Sequence, residues 1–337
     1  MKLVEEVAFI RPILILLLIV YHAFLIYGGG WAQPVGYVDI PMYKDIAVLS
    51  YSCMLETFVF ISGYLFFWGI LKANKSYSLK SILKSKYNRL LIPAWVWSCL
   101  YYFIIDDSNS LKDIILMGGG IGHMWFLLML FWCFIFAWCF IKFPCSYKVK
   151  LALSITLAIV SWLPIPFRIG MALFYQLFFI LGFFLVQKRE LILKSLTPLR
   201  LSYIWLVNII VLVLYIAYGD VLNQLPKETL NEKILFYTIN NVERLIVSFT
   251  GVVSLYSTAL YYIRNHALSD WIVRFGACCF GVYIFQQFIL KIIYYQTSIP
   301  AEVGPYWLPW LSVIITFVMS WLLTIVLRRY SLFRKIL

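Results

Sequence analysis

The sequence predicts an all-α membrane protein, a bundle of about ten transmembrane helices with both chain ends in the cytoplasm. Three observations lead there. Of 337 residues, 63% are hydrophobic and only 13% are charged, whereas soluble domains carry about 25% charged residues. Apolar runs close to the roughly 20 residues that a membrane helix needs recur from one end to the other. Lysines and arginines gather on alternate loops, the pattern that sets orientation in a bilayer.

The first run, 9–27, follows Lys2, Glu5 and Glu6 and precedes no A-x-A-like site. It therefore reads as a retained helix rather than a cleaved signal. The second, 46–70, is rich in aromatics. The third, 90–105, is short and begins at LLIP, after the cation-rich loop 71–89. The fourth, 123–141, opens on HMWFLLMLF. The fifth, 151–165, is short again; such runs tilt little or extend into their loops. The sixth and seventh, 170–187 and 201–219, flank a basic turn ending at Arg200. The eighth, 244–262, opens on Arg244, the ninth is 275–296, and the tenth, 307–327, stops before RRYSLFRK.

With the N-terminus inside, twenty Lys and Arg fall in cytoplasmic segments and five in outer loops: Lys44, Lys112, Arg168, Lys227 and Lys233. Topology thus accounts for the net charge of +13 without invoking nucleic acid. No loop is long enough for a soluble domain, so residues 1–337 read as one membrane domain. The outer loops hold Gly28–Gly30, Gly118–Gly120, Pro34, Pro41, Pro300 and Pro305, as simple turns or as the rim of a substrate entrance. The seven cysteines show no CxxC pair and no Cys/His metal spacing, which favours small buried apolar roles over redox or metal chemistry.

Ionisable groups at membrane depth are functional candidates by default. Arg11 and His22 are eleven residues apart on the first run. At 100° per residue they share one helical face, about 16 Å apart along the axis. They read as a cation at the cytoplasmic mouth and a titratable base deeper in, or as a snorkelling arginine and a helix-bonded histidine. Glu56 on the second run lies at similar depth. It either accepts an N–H from His22 and fixes its tautomer or stays protonated on a backbone carbonyl. His123 starts the fourth run, followed by Trp125, an aromatic-belt position. His266 falls in a solvated loop. Lys86 and Arg89 precede LLIPAW and, with Arg11, would form a cationic rim suited to phosphate. On the ninth run Tyr283, Gln287, Lys291 and Tyr294 share a face. Lys291 and Arg244 read as snorkelling cations or, second, as substrate contacts. Walker A and GxSxG motifs are both missing from the sequence, which argues against a self-powered ATP transporter and a serine hydrolase.

In this order the motifs resemble the acyltransferase-3 family of polytopic membrane O-acyltransferases. The family's Arg, ten residues, His pattern is matched by Arg11 and His22. Its FFxxSGY pattern is matched by FVFISGYL with Ser62, Gly63 and Tyr64. Its basic pair before proline is matched by KYNRLLIP with Lys86 and Arg89, where arginine is commoner at the first position. HxWFL is His123 to Leu127, and FxxGxxL is similar to FFILGFFL around Gly182. One departure stands out. Many members have a histidine shortly after Gly-x-Tyr, where GVYIFQQF places Gln286 or Gln287. An amide there cannot do acid–base work, although it can orient a hydroxyl.

The resemblance implies transfer of an acyl group, acetyl in the first instance, from cytoplasmic acyl-CoA to a hydroxyl of a surface or lipid-linked glycan. It implies His22 as general base, or as a brief carrier of the acyl group, with Glu56 behind it, and Arg11, Lys86 and Arg89 on the CoA phosphates. Ser62, Tyr64, His123, Trp125, Tyr283, Gln286 and Gln287 would line the acceptor site. Acyl-CoA enters as co-substrate, with no tightly bound cofactor, no metal and no nucleic acid. The partners are the glycan or glycolipid and membrane lipids, and the expected location is the inner membrane of a bacterium. Two alternatives stay open: a glycan or lipid transporter, and a family member without catalysis that serves glycan assembly.

Overall fold

A computed structural model of the chain describes residues 4–105, 120–163, 165–334 and 336–337, without the side chains of Asp220, Asn223 and Leu332. Lys2, Lys112, Gly118 and Gly119 lie outside the described residues. Every regular element among those described is helical. In chain order these are α1 (Glu5–Phe24), α2 (Pro41–Tyr51), α3 (Met54–Leu71), α4 (Leu79–Lys86), α5 (Ile92–Ile105), α6 (Trp125–Lys142), α7 (Tyr147–Ile159), α8 (Ile169–Ser195), α9 (Pro198–Asn223), α10 (Leu230–Asn265), α11 (Asp270–Tyr295), α12 (Ile299–Val303), α13 (Leu308–Leu327) and α14 (Ser331–Arg334).

The starts follow from local chemistry. Ser78, Ser146, Thr197 and Ser269 each accept the backbone N–H three residues on and begin α4, α7, α9 and α11. Such caps satisfy donors that the first helical turn leaves open. Between α4 and α5 the backbone widens into a π turn, Tyr87–Leu91. Pro93 explains it, because a proline has no N–H to return to the carbonyl four residues back. Arg89 sits in that turn.

Among the described residues eight helices are long and apolar enough to cross a membrane, fewer than the ten apolar runs of the sequence. The difference lies in the two short runs. α7 has 13 residues, about 20 Å, against a hydrocarbon core of about 30 Å, and α5 is described over 14 residues, to Ile105, the last before the residues not described. The eighth run is corrected too. α10 begins at Leu230 rather than 244, because Thr229 and Glu232 form a reciprocal capping box ahead of a polar stretch that hydropathy does not register. Arg244 is therefore mid-helix and not at an edge.

The chain packs as two compact units interleaved along the sequence. Unit one comprises Met1–Val7, Ser52–Asn88 and Leu127–Ala267. Its tightest pairing is α3 on α8. A Cβ on Gly63 would fall on the Phe179 carbonyl, and one on Gly182 on the Tyr64 backbone. Only glycine allows helix backbones so close, the use small residues have in membrane helices. α9 and α10 are tied by Trp205 Nε1 donating to Thr258 Oγ1 at 2.9 Å and by Thr250 donating to Asn208 at 3.1 Å.

Unit two comprises Ala8–Tyr51, Arg89–Phe126 and Leu268–Leu337. Here α11 packs on α13 and α5, with Trp97 edge-on to Phe285 and Tyr101 edge-on to Phe288. Around the end of α1 a core forms from Ala23, Phe24, Tyr27, Tyr43, Leu290, Tyr294 and Leu308. The loop after α1 is pinned through tyrosines. Tyr37 donates to Pro300 O at 2.8 Å, Tyr43 to Tyr306 O at 2.8 Å, Tyr295 to Ala32 O at 2.8 Å and Tyr27 to Pro305 O.

Candidate active site

α1 is continuous from Glu5 to Phe24, Pro12 included, so the register between Arg11 and His22 holds. Pro12 leaves the Ala8 carbonyl without its helical donor. Gly276 of α11 lies near that carbonyl. Arg11 is half-buried and within electrostatic range of Arg89 and of Cys279 on α11. Two of the three expected phosphate-side cations thus come together within unit two.

His22 is buried at 6% exposure. Its ring stacks on Trp31 at 5.7 Å and 14°, lies 5.0 Å from Tyr21 and 6.5 Å edge-on from His123. The Gln286 side chain of α11 and the Leu18 carbonyl lie beside it, close enough to interact with the ring although neither reaches normal hydrogen-bond geometry. His22 Nδ1 has no hydrogen-bond partner among the described residues, and neither do Nε2 and Oε1 of Gln286, which is fully buried.

His123 is the opposite case. Gly122 adopts φ +53°, a left-handed conformation that glycine tolerates, and a Cβ there would meet Gln287 Oε1 at 3.1 Å. That approach lets Gln287 Oε1 accept the His123 backbone N–H at 3.0 Å and face ring Nδ1. Ring Nε2 faces the Ile284 carbonyl at 2.9 Å. The Tyr283 hydroxyl donates to the His123 carbonyl at 2.6 Å. Both ring nitrogens of His123 thus face oxygens of α11, a neutral ring donating to one of them, and Tyr283 fixes its backbone from the same helix. Trp125 is half-buried behind it.

The expected Glu56–His22 pair is corrected. Glu56 Oε1 accepts from Arg244 Nη2 at 2.8 Å and Nε at 3.1 Å, and Arg244 also donates to the Tyr175 hydroxyl. A carboxylate at 1% exposure needs a charged partner. α10 supplies one, because its early start sets Arg244 inside unit one. Arg244 is no snorkelling cation. Lys291 Nζ lies over the Trp31 ring at 4.7 Å and the Tyr295 ring at 5.1 Å.

The other predicted residues of unit one have local partners. Ser62 Oγ donates to Phe58 O at 2.9 Å. The Tyr64 hydroxyl donates to Glu6 Oε1 at 2.6 Å, Arg189 Nε donates to the same oxygen at 2.7 Å, and Tyr256 donates to Tyr64 at 3.3 Å. Lys86 Nζ lies 3.7 Å over the Phe134 ring. His266 is exposed. Trp31 was missed, since a tryptophan after three loop glycines carries no signal of its neighbour. A groove of about 400 Å³ lies against α1, α11 and α13, lined by Pro12, Leu16, Phe275 and Phe317 among others. It is apolar and contains none of the candidate residues. Among the described residues no three His, Cys, Asp or Glu gather closely enough to hold a metal ion, and all seven cysteines are free.

The arrangement offers an uncommitted imidazole nitrogen beside an uncommitted amide, on the same helix as a cation about 16 Å away. A family model described as an acyltransferase domain, that of acyltransferase 3, matches residues 4–329. No curated protein and no solved structure matches the chain.

Proposed function

The chain belongs to the acyltransferase-3 family of integral membrane acyltransferases, and from that premise we propose an O-acyltransferase that moves an acetyl or similar group from acyl-CoA to a glycan hydroxyl, with His22 as base. The observation that carries the reading is the buried, unpartnered Nδ1 of His22. Native structures seldom leave such an atom without a partner unless something else binds there. A neutral imidazole suits proton abstraction near neutral pH.

On this reading Arg11 and Arg89 hold the CoA phosphates from the cytoplasmic side, where guanidinium forks pair well with phosphate. The pantetheine arm runs along α1 toward His22. The acceptor hydroxyl arrives from the opposite side or from within the membrane, attacks the thioester carbon and gives its proton to His22 Nδ1. Trp31 and Tyr21 fix the plane of the ring. His123, with both nitrogens facing oxygens of α11, positions that helix and the edge of the site. The acceptor is a hydroxyl of a surface or lipid-linked glycan in a bacterial inner membrane.

The test pairs two measurements. Mass spectrometry of surface and lipid-linked glycans, with and without the gene, should reveal an acyl ester that depends on it. Purified protein should release CoA from acetyl-CoA when given the lipid extract of the producing cells. Protein that binds glycolipid while leaving acetyl-CoA intact would overturn the reading in favour of transport or assembly.

A further inference from the structure

α11 carries two neighbouring glutamines in opposite states. Gln287 accepts the His123 backbone N–H and faces the His123 ring. Gln286, one residue earlier and 100° around the helix, is fully buried with neither amide atom satisfied among the described residues. A buried amide normally finds a partner, and a specific exception calls for a ligand or water. The position is informative because Gln286 stands beside His22, whose Nδ1 is unsatisfied too. Around that ring, Tyr283 donates to the His123 carbonyl, and both nitrogens of His123 face acceptors. Of these groups Gln286 alone has both amide atoms buried without a hydrogen bond of normal geometry, its polar neighbour being the His22 ring itself.

We propose that Gln286 is a catalytic residue whose Nε2–H donates to the carbonyl oxygen of the acyl thioester. This rests on the acyl-CoA reading above. The acceptor oxygen forms a bond to the carbonyl carbon while its proton passes to His22 Nδ1. The C=O π electrons move onto the carbonyl oxygen, where the Gln286 N–H meets them. On collapse the C=O bond re-forms and the C–S bond breaks, and the CoA sulfur leaves with the proton from His22. Gln286 neither gains nor loses a proton, so an amide suffices where acid–base chemistry is not asked of it. Donors aimed at developing charge act on the transition state more than on bound substrate.

The test uses full-length protein with acetyl-CoA and the lipid extract of producing cells as acceptor. Gln286→Met keeps shape and removes the donor. It should lower kcat about 10²–10³-fold, the usual loss for one such donor, with KM for acetyl-CoA within about threefold. Gln286→His, which restores an N–H, should recover at least about tenfold over Met. If the Met protein does not accumulate, Gln286→Leu is judged by the same criteria. A kcat within about threefold of wild type in Met or Leu overturns the assignment, as does a loss confined to KM. His22→Ala separates the two levels. If His22→Ala is inactive while Gln286→Met is active, the donor role alone fails. If His22→Ala retains full activity, or wild type leaves acetyl-CoA intact, the acyl-transfer reading fails with it.

Discussion

Both units bury polar groups where a bilayer would be, yet they treat them differently. Unit one closes its buried carboxylates into pairs. Glu6 holds Arg189 and receives the Tyr64 hydroxyl, and Glu56 holds Arg244. Unit two leaves its titratable group open, with His22 Nδ1 and the whole Gln286 amide unpartnered among the described residues. Unit one has loose ends as well, in Glu56 Oε2 and the Gln176 amide. Glu56 nevertheless already has its countercharge. The contrast separates two uses of buried polarity. A carboxylate paired with a guanidinium holds helices in register, whereas an imidazole beside an unfilled amide is ready for a ligand.

The largest expected effect tests the open side of that contrast. His22→Ala should reduce acyl transfer by about 10²–10⁴, while yield and thermal midpoint of the purified protein stay near wild type. A collapse in stability would make His22 as structural as the pairs of unit one. The closed side should behave inversely. Glu6→Ala removes the buried carboxylate shared by Arg189 and Tyr64, leaving Arg189 only the exposed Glu190, and breaking a buried pair costs up to about 3–5 kcal/mol. Thermal unfolding should fall sharply, while the folded fraction keeps its KM for acetyl-CoA. Glu56→Gln should likewise lower abundance, and the pH optimum of the remaining enzyme should not move, because Glu56 faces Arg244. A moved optimum would reconnect Glu56 to the chemistry.

A smaller effect sharpens the packing half of the comparison. Gly182→Ala places a methyl group on the Tyr64 backbone, and overpacking of this kind costs about 1–3 kcal/mol. The loss should appear in unfolding and not in kcat. Smallest of all is Thr229→Ala, which removes the capping box of α10. It should cost about 1 kcal/mol, read as a modest drop in thermal midpoint with activity unchanged.

Much of this was legible in the sequence because it is local. Helical class follows from apolar runs, and the shared face of Arg11 and His22 from a register of eleven residues on an unbroken α1. The SGY and FFILGFFL glycines could be quoted from the sequence but not explained. Their meaning is a contact between α3 and α8, more than a hundred residues apart in the chain. The partner of Glu56 was invisible for the same reason: Arg244 lies 188 positions away, and hairpin adjacency pointed to His22 instead. The start of α10 was missed because a capping box is a polar signal inside a hydropathy argument. The departure at GVYIFQQF was legible as a substitution. That one glutamine braces His123 while its neighbour stays unfilled needed side-chain geometry.

Trp31 stacked on His22 has a spectroscopic consequence. An indole nearly parallel to an imidazole, with ring centres 5.7 Å apart, senses its charge, so the proposed base carries its own optical reporter. Thirteen tryptophans would bury that signal in ordinary emission. A fluorinated indole resolves them one by one in a ¹⁹F spectrum, and Trp31→Phe identifies the line. That line would shift as acetyl-CoA or acceptor arrives beside the ring, and would follow occupancy of the site without any turnover.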